Sequence, residues 1–430
     1  MRLAQPLLRR KLFRRSQAET LYGQFVEERF GHYAHSAHEN WIWIHAVSLG
    51  ETRTAGILLK TLRETFPGMK LLLTNGTATG REEGQKLLQA GDVQVWQPWD
   101  SAEAVSRFYQ AFQPRMGLIM ETEVWPNLVH CANQFNVPLM LVNARMSHKS
   151  MKQALRWPSL MCQAFKGLSG VFAQTQDDQK RLTALGANVS GVLGNLKFDA
   201  QPDAAQMALA KTWRMAMSRP VLMLASSREG EEQLWLEAWQ NYCQKNPQTL
   251  IDWLIVPRHP QRVAEVEALI QSKAWMVSRR STWGAAGPEV HLEAQASGLH
   301  GPRILLGDSL GEMALYYSFA QVALLGGSFE KLGGQNLIEA AACACPVVMG
   351  PHTFNFSEAA EAAETSGAAL RAANMDKAIE AACELVLNAH RQAEFANNAL
   401  QFAQAHGGAT QRTALAVREL LNPIKGSAGR

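Results

Sequence analysis

Residues 324–356 read LLGGSFEKLGGQNLIEAAACACPVVMGPHTFNF. An apolar run, Val322–Leu325, meets Gly326-Gly327, and a second pair, Gly333-Gly334, precedes a helix that opens at Asn336. Glycines at such a place let the backbone approach a ligand closely, and the free N–H groups of a helix start attract anions. Glu339, one turn into the helix, is placed to accept hydrogen bonds from sugar hydroxyls, as acidic residues do in dinucleotide folds. The same glycines also suit tight strand–helix packing, and the loop by itself does not separate the two readings.

Working outward, short apolar runs alternate with amphipathic helical stretches from end to end. In the first half the predicted strands are Trp41–Val47, Lys70–Thr74, Val93–Trp96, Gly117–Met120, Pro138–Val142, Gly170–Ala173 and Val189–Leu193. In the second they are Val221–Ala225, Thr249–Val256, Trp275–Val277, Arg303–Leu306, Gln321–Leu325, Pro346–Met349 and Ala368–Leu370. Strand–helix alternation of this kind predicts parallel sheets covered by helices on both faces. Two sets of strands, split near the polar stretch Asp199–Asp203, predict two doubly wound α/β domains. The expected division is a basic helical segment at 1–39, a first domain at 40–200, a second at 201–408, and a terminal helix and tail at 409–430 that can pack back on the first domain.

Bulk properties narrow the function classes. A chain of 430 residues, 47% hydrophobic and 19% charged, is long enough for two ordinary cores and is not disordered in composition. A net charge of +4 is too small to argue nucleic-acid binding, and no such motif occurs. The six cysteines are scattered without zinc spacing, which reads as reduced, mostly buried thiols in a cytosolic setting. No apolar stretch reaches the roughly 18 residues that a membrane span needs. The first fifteen residues, MRLAQPLLRRKLFRR, nevertheless carry six Arg/Lys and no acid. Such a segment can lie on an anionic membrane surface, or it is a helix end with a solvated basic face.

One junction recurs: Ser48-Leu-Gly-Glu51, Ser226-Ser-Arg-Glu229, Ser309-Leu-Gly-Glu312 and Asn336-Leu-Ile-Glu339 each follow a strand and precede a helix. All four have capping-box spacing, so each glutamate has a structural reading. Ligands of open α/β sheets, however, bind at the carboxyl ends of strands, where these junctions lie. Glu51, after the strand WIWIHAV, is a candidate general base for an acceptor hydroxyl. Glu121 and Glu123 end the apolar strand of MGLIMETEVWPNL, where unpaired acids are costly unless functional. Lys197, in GNLKFD, precedes the expected linker and can reach toward the same region. Arg258, after DWLIVP, suits a two-point clamp on phosphate. His259 has a surface as well as a ligand reading; His352 suits an orienting role, and Phe354 and Phe356 suit a wall. No Asp-X-Asp near a strand end and no His/Cys cluster suggests a metal.

Taken in order, HAVSLGET, TNGTATG, METEVWPNL, NARMSHKS, GNLKFD, SSREGEE, VPRHPQR, GDSLGEM and GGQNLIEAAACACPVVMGPHTFNF resemble the 3-deoxy-D-manno-octulosonic acid (Kdo) transferases of lipid A assembly over residues 40–360. The resemblance implies a GT-B fold, two Rossmann-like domains facing a central cleft, and inverting transfer from CMP-Kdo to a lipid A precursor with neither metal nor cofactor. It makes Glu51 the proton acceptor and Glu121 and Lys197 the stabilisers of the transition state. It places donor contacts on Pro257, Arg258, Leu310, Gly311, Glu312, Asn336, Leu337, Ile338 and Glu339. It also implies work at the cytoplasmic face of the bacterial inner membrane, held peripherally or by an N-terminal anchor, and no nucleic-acid partner. Two departures stand out. Gln335 and Leu337 replace the histidine and proline of the family's GGHNPLE, and Arg228 replaces the histidine of STHEGEE.

Two further readings share the fold: a GT-B transferase or epimerase acting on a UDP-sugar, and a catalytically silent nucleotide-sugar-binding protein. A silent relative is expected to lose Glu51 or Lys197, and both are present.

Overall fold

The computed structural model describes residues 5–34, 40–288 and 303–421. It divides into two compact units, Met1–Asp199 with Gly407–Arg430, and Ala200–His406. In the first unit β1 (Trp41–His45), β2 (Lys70–Asn75), β3 (Val93–Trp96), β4 (Met116–Met120), β5 (Leu139–Ala144), β6 (Gly170–Ala173) and β7 (Val189–Val192) form one sheet in the order β3-β2-β1-β4-β5-β6-β7. All six pairings are parallel. The second unit repeats the plan with β8 (Val221–Ser227), β9 (Asp252–Pro257), β10 (Val277–Arg279), β11 (Ile304–Leu306), β12 (Val322–Leu325), β13 (Val347–Met349) and β14 (Ala369–Arg371), ordered β10-β11-β9-β8-β12-β13-β14 and again all parallel.

The central strands are buried on both faces, which is why they read as unbroken apolar runs rather than alternating ones. In the first unit Trp43, Phe108, Tyr109, Phe112 and Phe165 fill one face of the sheet. Leu58, Leu62, Leu118, Met140 and Phe172 fill the other, joined by Ala414 and Val417 of the last helix, Ala409–Leu421. The Asp199 carboxylate accepts from the N–H groups of Gly408 and Thr410, so it caps the start of that helix. In the second unit Trp253 meets Trp235 and Trp239 edge-on, with centroids 5.4 Å apart in each pair.

Some boundaries differ from expectation. β9 begins at Asp252, not Thr249, because Thr249 closes a turn onto the Asn246 carbonyl and the ladder starts at Asp252 N–H to Pro220 O. β10 is Val277–Arg279, not Trp275–Val277, because Ala274 at φ +58° turns the chain first. The basic N-terminal segment is not a separate piece. Its helix Gln5–Ser16 buries Leu12 in a cluster with Tyr22, Ala78 and Trp96 of the first unit. The Arg29 guanidinium lies 4.0 Å from the Trp96 ring centroid, and Arg81 pairs with Glu28 at 3.0 Å. Among the described residues no helix is long and apolar enough to cross a membrane.

Candidate active site

In the first unit the chain runs β1, β2, β3 to one side and then returns to β4 on the other side of β1. Such a reversal opens a crevice at the carboxyl ends of the two strands. Glu51 follows β1, and Glu121 and Glu123 follow β4, so all three acids stand at this reversal. Ser48 caps the helix Leu49–Thr65, and Glu51 reaches back: its Oε2 accepts from Val47 N–H at 2.7 Å and its Oε1 from the Ser48 hydroxyl at 3.1 Å. The helix-start reading of Glu51 is therefore correct, although its return bond goes to the Val47 N–H and not to the Ser48 N–H of a strict capping box. It does not exhaust the carboxylate, since each oxygen keeps lone-pair capacity. Burial pushes the Glu51 carboxyl up to about 7, against the pull of the Val47 N–H, and Glu123 and Glu121 push the same way. Burial likewise raises Glu123, whose Oε2 accepts from Trp125 Nε1–H at 2.9 Å.

Lys197 enters from the far side of the sheet, on the single helical turn Leu196–Asp199 that follows β7. Its Nζ lies 3.2 Å from Glu121 Oε1, with the two side chains 24% and 13% exposed. The charges are in contact, yet Glu121 Oε1 has no aligned hydrogen bond. Glu121 itself is held at φ +57°, a left-handed conformation uncommon for a glutamate and typical of strained functional positions. A proton acceptor poised near neutrality beside a partly exposed carboxylate–ammonium pair can take a hydroxyl proton and steady a developing charge.

The second unit has its own reversal, between β8 and β12. There Gly326 comes so close to the β8 end that an added Cβ would sit 2.3 Å from Ser226 O, so only glycine fits. Gly327 and Gly334, both at positive φ, are joined by a Gly334 N–H to Gly327 O bond of 2.7 Å. Pro257 closes β9 and exposes Arg258, whose N–H is tied to Ser227 O at 2.9 Å. Arg258 and Glu339 both act electrostatically on the buried Tyr317 phenol, which burial drives well above its ordinary value, so the two lie near one residue. Asn336 caps the helix Leu337–Ala342 by accepting from Ile338 N–H at 3.1 Å. Leu337 and Ile338 turn their side chains into the interior, each 1% exposed, which leaves only their backbone for a ligand. His259 and Phe354 are exposed.

Two of the four predicted capping boxes are not boxes. The helix after Ser226–Glu229 starts at Glu231, with Gly230 as its cap. The helix after Ser309 starts at Met313 with Glu312 at the cap position, so Glu312 is free of capping duty. It instead accepts from Arg280 Nη2–H at 2.8 Å and from the Ser309 hydroxyl. Leu310 is exposed, and Gly311 at φ +79° offers its carbonyl to Gln206 Nε2–H at 3.0 Å.

Sequence reasoning also passed over two residues. Glu231, wholly buried, accepts from the N–H groups of Arg228, Gly327 and Phe329 at 2.9, 2.6 and 3.1 Å, pinning the glycine loop after β12 to the loop after β8. Asn143, at the end of β5, accepts from Leu196 N–H at 3.0 Å. Both lie inside motifs already singled out, SSREGEE and NARMSHKS, but nothing in either motif shows what the side chain reaches.

Two doubly wound parallel units, each with charged groups at the carboxyl ends of its strands, define the GT-B class. A solved glycosyltransferase from Rickettsia africae ESF-5 shares this fold at a TM-score of 0.58, matching 91% of this chain and 100% of that one at 13% identity. A family profile described as 3-deoxy-D-manno-octulosonic-acid transferase (kdotransferase) matches residues 24–200. The chain is 44% identical over 388 residues to the 3-deoxy-D-manno-octulosonic acid transferase of Bordetella pertussis, covering 88% of this chain and 87% of the relative. It is 30% identical over 411 residues to that of Haemophilus influenzae, covering 94% and 92%. The chain belongs to the 3-deoxy-D-manno-octulosonic acid transferase family and is a glycosyltransferase.

Proposed function

We propose that the protein transfers Kdo from CMP-Kdo to a lipid A precursor of the lipid IVA type, with inversion and without a metal. The observation that carries this reading is the grouping of Glu51, raised to about 7 by burial, with the Glu121–Lys197 pair at the sheet reversal of the first unit. In the proposed reaction the acceptor hydroxyl gives its proton to Glu51 as its oxygen bonds to the anomeric carbon. The bond from that carbon to the phosphate oxygen breaks, and CMP leaves with the electron pair. The anomeric carbon is tertiary and bears a carboxylate, so positive charge builds on the sugar as the bond breaks. Glu121 and Lys197 are the groups assigned to that charge and to the sugar carboxylate. Arg258, with the backbone at Pro257, Leu310-Gly311-Glu312 and Asn336–Glu339, holds the nucleotide. A nucleoside monophosphate stabilised by an arginine is a competent leaving group without Lewis-acid help.

Attachment to the cytoplasmic face of the inner membrane is part of this proposal. The helix Gln5–Ser16 exposes Leu7 and Phe13 together with its five basic residues, apolar and cationic groups that suit contact with an anionic surface. Exposed Leu155, Trp157 and Leu160, interleaved with Lys152 and Arg156, form a second mixed apolar and basic patch on the first unit.

Mass spectrometry of products formed from a tetra-acylated lipid A precursor, with CMP-Kdo generated in situ or a panel of UDP-sugars, tests the reading. Added Kdo residues with CMP-Kdo alone are expected; consumption of a UDP-sugar with none of CMP-Kdo would overturn it. Glu51→Ala is expected to lower turnover by roughly 10²–10⁴-fold and leave CMP affinity intact, because the base meets acceptor rather than donor. Arg258→Ala is expected to do the opposite, weakening CMP in calorimetry.

A further inference from the structure

The Glu121–Lys197 pair joins two segments far apart in sequence, and one irregularity of the sheet holds both. The β5–β6 register breaks between Leu141 and Ala144. Inside that break Asn143 is 2% exposed and sits at φ +51°, a left-handed conformation that asparagine tolerates better than most residues. On one side, the residues flanking Asn143 grip the backbone of Glu121: its N–H donates to Val142 O at 3.0 Å, and its carbonyl accepts from Arg145 N–H at 3.3 Å. On the other, Asn143 Oδ1 accepts from Leu196 N–H at 3.0 Å, one residue before Lys197. The bulge is itself fixed from the residue after β6, Gln174, whose Nε2–H donates to Asn143 O at 2.9 Å. Asn195 completes the turn by accepting from Lys197 N–H at 3.0 Å.

We infer that Asn143 is a positioning residue for the reaction: its amide oxygen seats the Gly194–Asp199 turn so that the Lys197 ammonium meets the Glu121 carboxylate at the β4 end. The link is specific in kind. Bulges next to active sites re-aim side chains, and here the bulge grips the backbone of one member of the ion pair and the turn that carries the other. The Leu196 N–H is buried with its acceptor, so removing the amide leaves it unsatisfied and releases the turn. The inference deepens the transfer reading and rests on it for the role of the pair, though not for its placement.

The test compares Asn143→Gly, which keeps the left-handed backbone and removes the acceptor, with Asn143→Asp, which restores an acceptor oxygen. Placement is read without activity, by hydrogen exchange over residues 194–199. Faster exchange there in Asn143→Gly, recovered in Asn143→Asp, is expected; unchanged exchange overturns the inference whatever the turnover. The functional half is read as kcat, KM and CMP affinity. Asn143→Gly is expected to lower kcat by roughly tenfold or more and to leave the CMP dissociation constant within about twofold, since the nucleotide groups lie on the other unit. Loss of CMP binding in parallel with turnover would mean general unfolding and overturn it too. Faster exchange with undiminished turnover would keep the placement and instead remove the Glu121–Lys197 pair from the proposed chemistry.

Discussion

Glu51 shows how much one side chain owes to its surroundings. As a residue after a strand it was recognisable from the sequence, and so was its bond to its own helix start. Its proton affinity was not, because that comes from burial together with Glu121 and Glu123, delivered by a strand some seventy positions away. A base must be deprotonated to act, so kcat/KM is expected to climb as pH rises through about 7. Folding stability runs the other way. The folded protein holds this proton up to about 7, whereas the unfolded chain releases it near 4.5, so rising pH across that interval weakens the fold. Glu51→Gln is therefore expected to raise the melting temperature at pH 8 and to change it little at pH 5. The gain at pH 8 is on the order of 3 kcal/mol at most, measured by thermal unfolding at the two pH values. A variant equally shifted at both would show that the carboxyl is not raised.

At the scale of elements, the strands were legible because parallel, doubly covered strands must be continuous apolar runs. The junctions after them were legible only in part. Ser48–Glu51 and Asn336–Glu339 follow the capping pattern, but at Ser226–Glu229 and Ser309–Glu312 the same letters serve other ends. What separates them is where the helix starts, and that is set by tertiary ties: Glu231 to the β12 loop and Glu312 to Arg280. Glu231→Ala is expected to strip two buried N–H groups and one half-buried one of their acceptor and lower stability by about 3 kcal/mol in denaturant unfolding. CMP binding should weaken with it, because the glycine loop loses its anchor. Preserved CMP affinity would show that the loop holds its shape without the carboxylate.

Over the whole molecule, the chain leaves the first unit at Asp199, builds the second, and returns at Gly407. The returning helix Ala409–Leu421 places Ala409, Ala414 and Val417 in the first unit's core, and its start is capped by Asp199. Truncation after His406 is accordingly expected to lower the unfolding temperature of the first unit and leave that of the second nearly unchanged, giving two separated transitions in calorimetry. A single transition, or loss confined to the second unit, would contradict this placement. By itself the order of apolar runs and helix faces determined two doubly wound α/β units and the strand ends at which chemistry belongs, since hydrophobic periodicity and strand–helix alternation are local properties. The tertiary structure alone decided which charges meet. Lys197, after β7, meets Glu121, after β4, with two strands between them, and Glu51 gains its proton affinity from burial and from neighbours at the end of β4, because contact and desolvation depend on distances that only folding sets.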